Sequence, residues 1–362
     1  MYNQDHRIVA TLDAGGTNFV FSAIQGNKEI VEPIVYPSNS NDLNKCLQTI
    51  VNGFQKVFDK IKERPVAISF AFPGPADYEH GIIGDLPNFP SFRGGVALGP
   101  YLEEIFQVPV FINNDGNLYA YGEAIAGILP EINAKLKNSG STKVFKNLLG
   151  ITLGTGFGAG VVIDNKLLLG DNGAGGDVWC CRNKKYPAYI IEESVSIRAV
   201  KRVYKELSGD DQNLTPKEIF DIAEGIKEGN QSAAIQSFEE MGEMAGDTIA
   251  NSLNLIDGIV VIGGGLSGAN KYIVPALTRE MNKLISTFNG EAFPRMQTKA
   301  FNLNTDFEQF ATDNIETIKI HGSDKQVQYD INKRIGVISS QLGASKAISL
   351  GAYAFALNSL DK

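Results

Sequence analysis

The chain has 362 residues, which exceeds the size at which one hydrophobic core usually stops growing, so two lobes are expected. The formal net charge of −8 argues against a nucleic-acid partner, because the protein would repel its phosphates. No apolar run could span a bilayer and the polar N-terminus lacks a signal-peptide core, which predicts a cytoplasmic protein with no membrane partner.

Strands and helices alternate in the predicted elements. In the first half, strands are expected at 8–12, 19–24, 30–35, 66–70 and 108–112, and helices at 42–61 and from 115 to about 126. In the second half, strands are expected at 148–153, 158–163 and 258–262, and helices at 189–207, 216–228, 232–255, 270–285 and 342–357. Each half opens with a hairpin, which indicates an α/β chain of two related lobes facing a cleft, with a boundary near Asp115. Residues 288–328 are polar and receive no role.

The first hairpin has a glycine turn between its two strands. Gly15 and Gly16 let the backbone come close to an oxyanion, so that its N–H groups can point at phosphate oxygens. Thr17 and Asn18 add donors, and Asp13 is a candidate ligand for hydrated Mg²⁺. An ordinary hairpin turn would also favour Gly and Asn.

A second glycine turn heads the second hairpin. Residues 154–160 contain four glycines in seven positions, among them Gly154 and Gly156, which flank Thr155. Glycine weakens a strand, so this number indicates that something comes close to the backbone. The turn contains no Walker A sequence, yet two such hairpins in one chain favour phosphate binding over simple turns.

The third glycine cluster is Gly263, Gly264 and Gly265, between a predicted strand and a predicted helix. Residues 263–268 fit the G-x-G-x-x-G pattern of dinucleotide-binding proteins. No second strand ending in an acidic residue follows about twenty positions later, so we favour a nucleotide packed at the helix N-terminus.

Asp115 is the candidate catalytic base. It lies in a turn with three asparagines where a strand meets a helix, and phosphoryl transfer needs one carboxylate to orient a hydroxyl and take its proton. Asn114 is a candidate hydrogen-bonding partner of a sugar hydroxyl. The alternative is that the turn only caps the helix. Asp177 and Glu192 are further candidate sugar ligands; otherwise each is an ordinary surface acid.

Three cysteines do not make a disulfide framework and fit a reducing compartment. The adjacent pair Cys180 and Cys181 is interpreted as packing residues rather than as a chemical site. The three histidines match no metal or triad spacing.

These motifs resemble those of ROK-type sugar kinases, in order and rough spacing. The resemblance implies an actin-like ATPase (ribonuclease H-like) fold, with the last helix returning to the first lobe. The expected lobes are therefore 1–115, joined by 342–362, and 116–341. The motifs that carry the resemblance are residues 13–18, 114–117, 154–160 and 263–265. Residues 72–77 and 87–90 resemble the family's sugar-side loops, and residues 350–352 resemble its closing helix.

The resemblance implies roles for individual residues. Gly15, Gly16 and Thr17 would face the ATP phosphates from one lobe, 154–156 would face them from the other, and 263–265 would pack against the nucleoside. Asp115 falls on the catalytic base.

The resemblance also implies the sugar contacts. Asn88 and Asn114 fall on contacts to sugar hydroxyls, and Glu192 falls on a carboxylate that binds the sugar ring. The family usually shows Gly-Glu-(aliphatic)-Gly-His followed by zinc-binding cysteines. Here residues 176–180 read Gly-Asp-Val-Trp-Cys, with Asp177 in place of the glutamate and no downstream cysteines. No structural zinc is expected.

The predicted function is transfer of a phosphoryl group from Mg-bound ATP to a hexose, glucose first, giving sugar 6-phosphate and ADP. Fructose, mannose and N-acetylamino sugars are alternative substrates. A non-catalytic sugar or nucleotide sensor and an NAD-dependent enzyme using residues 263–268 are alternative functions. A homodimer is a family-level expectation.

Overall fold

The computed structural model describes residues 1–15, 17–74, 76–84 and 90–362, which form alternating strands and helices. The elements up to the middle of the chain are β1 (Val9–Ala14), β2 (Asn18–Gln25), β3 (Lys28–Glu29), β4 (Ile34–Pro37), α1 (Leu43–Lys60), β5 (Ala67–Ala71), β6 (Ala76–Asp77), β7 (Ile82–Ile83), β8 (Val96–Ala97), α2 (Leu98–Phe106), β9 (Val110–Asn113), α3 (Asp115–Ile125), α4 (Ile128–Asn138), β10 (Leu148–Leu153), β11 (Phe157–Ile163) and β12 (Lys166–Leu167). The remaining elements are α5 (Ile197–Ser208), α6 (Pro216–Ala223), α7 (Gln231–Ile256), β13 (Ile259–Gly263), α8 (Asn270–Met281), β14 (Leu284–Ser286), β15 (Ala292–Pro294), β16 (Lys299–Asn302), α9 (Phe307–Ala311), β17 (Ile315–Lys319), β18 (Gln326–Asp330), β19 (Arg334–Ser339) and α10 (Ala344–Leu360).

Four predicted elements were wrong in their extent. The helix expected at 216–228 ends at Ala223, because Gly225 takes a left-handed φ of +72°, which a right-handed helix cannot include. The strand expected at 30–35 is replaced by β3 and β4, because Pro33 between them has no N–H for a strand ladder. The helix expected from 189 begins at Ile197, since the Ile191 N–H donates to the Cys181 carbonyl instead. The helix expected to reach 285 ends at Met281, and the next residues pair as β14 with β15.

The contacts divide the chain into two compact units. The first comprises Met1–Ile128, Gly160–Gly176 and Gln341–Lys362, and the second comprises Leu129–Ala159 and Asp177–Ser340. These units are groups of residues in contact with one another and do not test the predicted lobe boundary at Asp115, which stays a prediction. Among the described residues, no helix has both the length and the hydropathy needed to cross a membrane.

The first unit is built on a sheet with strand order β3-β2-β1-β5-β9, in which β4 also pairs with β2. β2 is antiparallel to β1, whereas β5 and β9 continue parallel to it. One face packs on α1 and α2 through an aromatic core that includes Phe21, Phe54 and Phe106. The other face packs on α10 through Tyr353 and its neighbours, so both faces of the sheet are covered.

Glycines set the close packing of α10 on α3. A Cβ added to Gly351 would lie 1.8 Å from the Leu118 carbonyl oxygen, and one added to Gly122 would lie 1.9 Å from that of Ala347. Both obstructing atoms belong to the backbone and cannot turn aside. The two helices therefore lie closer together than any side chain at these positions would allow.

We expect Gly351→Ala to destabilise the protein by about 1–3 kcal/mol, the usual cost of overpacking. Helix propensity alone predicts the opposite sign, a gain of about 1 kcal/mol. Denaturant unfolding measures the difference, with Gly268→Ala as the control because a Cβ there meets no atom within 4 Å. A stabilised Gly351→Ala variant would contradict the close helix contact.

The second sheet has the order β12-β11-β10-β13-β19-β16. β13 pairs parallel with both β10 and β19, and β16 pairs parallel with β19. The sequence β11-β10-β13-β19 thus repeats the pattern β2-β1-β5-β9 of the first sheet. The helices of the second unit are centred on α7, which packs on α5, α6 and α8.

Candidate active site

The register of the first sheet brings two predicted site segments to one edge. Asp13 in β1 pairs with Ala71 in β5, and Ala71 pairs with Asn113 in β9. All three strands are parallel, so their carboxyl ends meet at the same edge, where open α/β sheets bind ligands. Asp13 and the start of α3 therefore lie about two strand spacings apart, roughly 10 Å.

At the start of α3, the capping residue and the candidate base are two different residues. Asn114 is the N-cap, and its Oδ1 accepts the Gly116 N–H at 2.8 Å. Asp115 is the first helical residue, and its Oδ1 also accepts the Gly116 N–H, at 2.9 Å. Behind them, the buried Asn113 accepts the Asn114 N–H and an Asn117 side-chain N–H. Because Asn114 caps the helix, Asp115 is free for another task.

The Asp115 carboxyl has a raised pKa. The side chain reaches solvent, but protein surrounds it closely, and this desolvation is the main cause of the rise. Hydrogen bonding to the backbone N–H of Gly116 opposes the rise, and the negative charge of Asp13 adds to it. A carboxyl with a raised pKa is a stronger base when ionised, as a general base requires.

Gly15, Thr17 and Asn18 are the described residues of the first glycine turn, and all three are exposed. The Gly15 N–H donates to the Asn18 carbonyl at 3.0 Å, and a Cβ at Gly15 would lie 2.9 Å from that oxygen. Thr17 and Asn18 are exposed, so their side chains are available to a ligand. Gly16 lies outside the described residues.

In the second unit, two predicted glycine clusters are brought together. β10 and β13 pair Thr152 with Gly263, and the Leu266 N–H donates to the Leu153 carbonyl at 3.0 Å. Gly264 has a φ of +93°, and a Cβ there would lie 2.4 Å from the Leu153 oxygen. The 263–265 turn thus packs directly on the start of the 154–156 turn.

Packing explains most of the glycines after β10. A Cβ on Gly156 would meet Glu192 at 2.5 Å, one on Gly158 would meet Thr152 at 2.4 Å, and one on Gly160 would meet the Gly116 carbonyl at 2.4 Å. A Cβ on Gly154 would meet nothing within 4 Å. Gly154 is therefore the glycine of this group with open space for a ligand.

Glu192 is bound to this second turn. Its carboxylate accepts the Phe157 N–H at 3.0 Å and a hydrogen bond from Arg198 at 2.9 Å. Arg198 also binds Glu193 and approaches the Thr155 carbonyl at 3.5 Å. Sequence reasoning did not find Arg198, because only the fold brings the first turn of α5 to this loop.

Asp177 lies on a neighbouring turn of the same unit. The short 3₁₀ turns Val178–Cys180 and Ile191–Glu193 pack together, and the Ile191 N–H donates to the Cys181 carbonyl at 2.8 Å. Asp177 itself is exposed. Cys180 and Cys181 are exposed as well, so their interpretation as packing residues was wrong.

The fold thus gathers Asp13, Asn114 and Asp115 in the first unit. In the second unit it gathers 154–156 with 263–265 and with Glu192, and Asp177 directly precedes the turn that packs on the Glu192 turn. Asn88 lies outside the described residues. Within the described part of the chain, no three His, Cys, Asp or Glu side chains cluster as ligands of one metal ion.

Three comparisons define what the chain is similar to. The family model described as ROK family matches residues 9–302. A crystal structure of glucokinase from Parabacteroides distasonis is 62% identical, covers 99% of both chains and superposes with a TM-score of 0.89. Glucokinase from Thermotoga maritima is 25% identical over 79% of this chain and 92% of its own. N-acetyl-D-glucosamine kinase from Vibrio cholerae is 28% identical over 70% and 83%.

The chain belongs to the ROK family. The predicted family and the predicted actin-like α/β fold are both confirmed. At the level of enzyme class, the prediction of a sugar kinase is confirmed too, because the relatives carry the names of kinases for two different sugars.

Proposed function

We propose that the protein transfers the γ-phosphoryl group of Mg-bound ATP to a hydroxyl of a hexose, with glucose as the preferred substrate and glucose 6-phosphate as the product. The 62% identical relative named glucokinase favours glucose. N-acetyl-D-glucosamine kinases at 28% identity make N-acetylglucosamine the second candidate.

The observation that carries the proposal is the Asp115 carboxylate, which has a raised pKa and stands at the same carboxyl edge of the first sheet as Asp13. In the proposed reaction the sugar hydroxyl oxygen attacks the γ-phosphorus and its proton passes to Asp115. The bond to the β–γ bridging oxygen breaks, and ADP leaves. Positioning and charge neutralisation supply most of the catalysis in such reactions, so Asp115 needs only to orient and deprotonate the hydroxyl.

The remaining residues act in binding. Asp13 would hold the Mg²⁺ that arrives with ATP, through water as hard cations prefer. Gly15, Thr17 and Asn18 would supply donors to phosphate oxygens, as would the 154–156 turn of the second unit. The 263–265 turn would support the nucleoside. Sugar hydroxyls would be bound by Asn114, Asp177 and Glu192, together with Asn88.

Turnover across sugars tests the function. We expect ADP release with glucose at a higher kcat/KM than with fructose, mannose or N-acetylglucosamine. Preference for N-acetylglucosamine would mean that the protein is a sugar kinase, as proposed, with N-acetylglucosamine instead of glucose as its substrate. Sugar binding without ADP release at high enzyme concentration would identify a sensor. Stabilisation against heat by NADH but not by ATP would identify the dinucleotide-dependent alternative.

The charge of Asp13 gives a separate pH test. Asp13 disfavours ionisation of Asp115, so Asp13→Asn should lower the Asp115 pKa. Since the base must be deprotonated, the acidic limb of kcat/KM should move to lower pH, while kcat falls through the weaker Mg²⁺ contact. Glu104→Gln, an exposed acid on α2, should leave the limb in place. If the acidic limb of kcat/KM stays at the same pH or moves to higher pH in Asp13→Asn, the electrostatic coupling between Asp13 and Asp115 is contradicted.

A further inference from the structure

One carboxylate and one guanidinium close a ring over the second glycine turn. The Glu192 carboxylate accepts the Phe157 N–H at 3.0 Å through Oε2, and its Oε1 accepts a hydrogen bond from Arg198 Nη2 at 2.9 Å. The other arm of the guanidinium, Nη1, lies 3.5 Å from the Thr155 carbonyl oxygen, the outer limit of a hydrogen bond. The ring therefore spans the turn from Thr155 to Phe157. We call the Glu192 and Arg198 side chains the clip.

The backbone of the turn fits closely against the clip. A Cβ on Gly156 would lie 2.5 Å from Glu192 Oε2, so the carboxylate lies directly against the Gly156 backbone. The Ile197 N–H donates to the Gly154 carbonyl at 2.9 Å, which joins the start of α5 to the same turn. Thr155 is exposed. The clip thus holds the turn by its backbone and leaves the Thr155 side chain available to a ligand.

The ion pair of the clip is too exposed to serve mainly stability. The Arg198 side chain is 47% exposed, and Glu193, which also binds it, is 43% exposed. Ion pairs with such exposure contribute little to the free energy of unfolding. An arginine fork can, however, bind two acceptors at once in a fixed geometry, whereas a lysine ammonium is a single point charge. Arg198 is therefore better explained by the position in which it holds Glu192 and the Thr155 carbonyl.

The two ends of the clip belong to the two proposed ligand sites. In the proposed function, Glu192 accepts hydroxyls of the sugar, and the 154–156 turn donates to phosphate oxygens of ATP. An ionised carboxylate has about four acceptor positions, and the contacts to Phe157 and Arg198 use one on each oxygen. Each oxygen can therefore accept a sugar hydroxyl as well. A sugar bound there fixes the same carboxylate that holds the turn.

We propose that Arg198 is a positioning residue that couples the sugar site to the nucleotide site. A sugar hydroxyl on Glu192 fixes the orientation of the carboxylate, and Arg198 transmits this orientation to the Thr155 carbonyl. The turn is then ordered before ATP arrives, so ATP binding loses less conformational entropy and becomes tighter. The coupling is reciprocal, so ATP raises the affinity for the sugar by the same factor. The inference rests on the proposed function, because it needs a sugar at Glu192 and a polyphosphate at the turn.

Calorimetric titration with the ATP analogue AMPPNP tests the coupling. The coupling factor is the ratio of the dissociation constants without and with a saturating amount of the sugar that turnover prefers. For the natural sequence we expect a factor of about 5–150, the usual range for coupled sites. In Arg198→Met the factor should fall below about 2, while the affinity for AMPPNP without sugar stays within about 2-fold of the natural value. A merely structural role would instead weaken AMPPNP binding equally with and without sugar.

Turnover and two further variants on α5 complete the test. At saturating sugar, Arg198→Met should raise the KM for ATP by about the lost factor, with a smaller change in kcat. Arg198→Lys keeps a charge for Glu192 but lacks the second arm, so it should recover only part of the factor. Lys205→Met is the matched control, because Lys205 pairs with Asp211 and both side chains are exposed. It should keep the natural factor.

Failure of this inference differs from failure of the proposed function. If the natural protein releases ADP with a sugar but its coupling factor is near 1, Arg198 does not couple the two sites and the kinase proposal stands. The same holds if Arg198→Met keeps the natural factor, or if Arg198→Lys restores it completely. A natural protein that binds neither a sugar nor AMPPNP would overturn both proposals.

Discussion

Replacing Asp115 with Asn should lower kcat roughly 10²–10⁴-fold, the usual effect of losing a positioned general base. An amide cannot take the hydroxyl proton, but it has the same shape and can still accept the Gly116 N–H. Asn114 continues to cap α3. We therefore expect little change in KM or in the melting temperature. Coupled ADP release and thermal unfolding, measured on the same preparation, separate chemistry from folding.

Glu104→Gln is the matched control for this change, because it removes an exposed carboxylate from the same unit without touching the edge of the sheet. It should keep full activity. An Asp115→Asn variant with more than half the natural activity would show that Asp115 is only part of a helix start, and the proposed mechanism would fall with it.

Arg334→Met should destabilise the protein by about 3–5 kcal/mol, because removing one partner leaves buried carboxylates uncompensated. The guanidinium is fully buried and is shared between Asp313 and Asp330, whose side chains are 12% and 16% exposed. Denaturant unfolding at neutral pH measures the loss. Lys319→Met breaks an ion pair with Asp324 in which both side chains are exposed, and it should leave stability nearly unchanged.

Arg334→Met should also alter the acid dependence of stability. Burial raises the pKa of Asp313, but hydrogen bonds from Ser141, Thr142 and Arg334 outweigh it and bring the pKa down to about 2. A carboxyl with a depressed pKa stabilises the fold above its ordinary pKa, near 3.8, and this contribution is lost as the pH falls toward 2. In Arg334→Met the loss should be smaller. An equally steep acid dependence in both proteins would assign the effect to other groups.

Sequence patterns predicted most of the local structure. The nearly continuous apolar run before the 13–18 turn predicted β1, and helical spacing of Ile50, Phe54 and Val57 predicted α1, which the structure shows to be capped by Asp42. These signals succeed because side-chain period and capping chemistry act within a few residues. The patterns were misleading where a distant partner decided the outcome. Residues 189–196 follow a helical pattern, yet they pair with the segment around Cys181.

The order of the motifs along the chain was enough to indicate the family, and the strand-to-helix turn at 113–117 was enough to identify Asp115 as the candidate base. Other features became visible in the folded chain alone. Asn114 performs the capping, and Asp13 stands at the same sheet edge as Asp115. Glu192 is held by Arg198 and the Phe157 N–H, and packing rather than a ligand accounts for Gly156, Gly158 and Gly160. The reason is physical: hydrogen bonds and hydrophobic periodicity along one element are local, whereas the register between strands and the packing of helices depend on residues far apart in the chain.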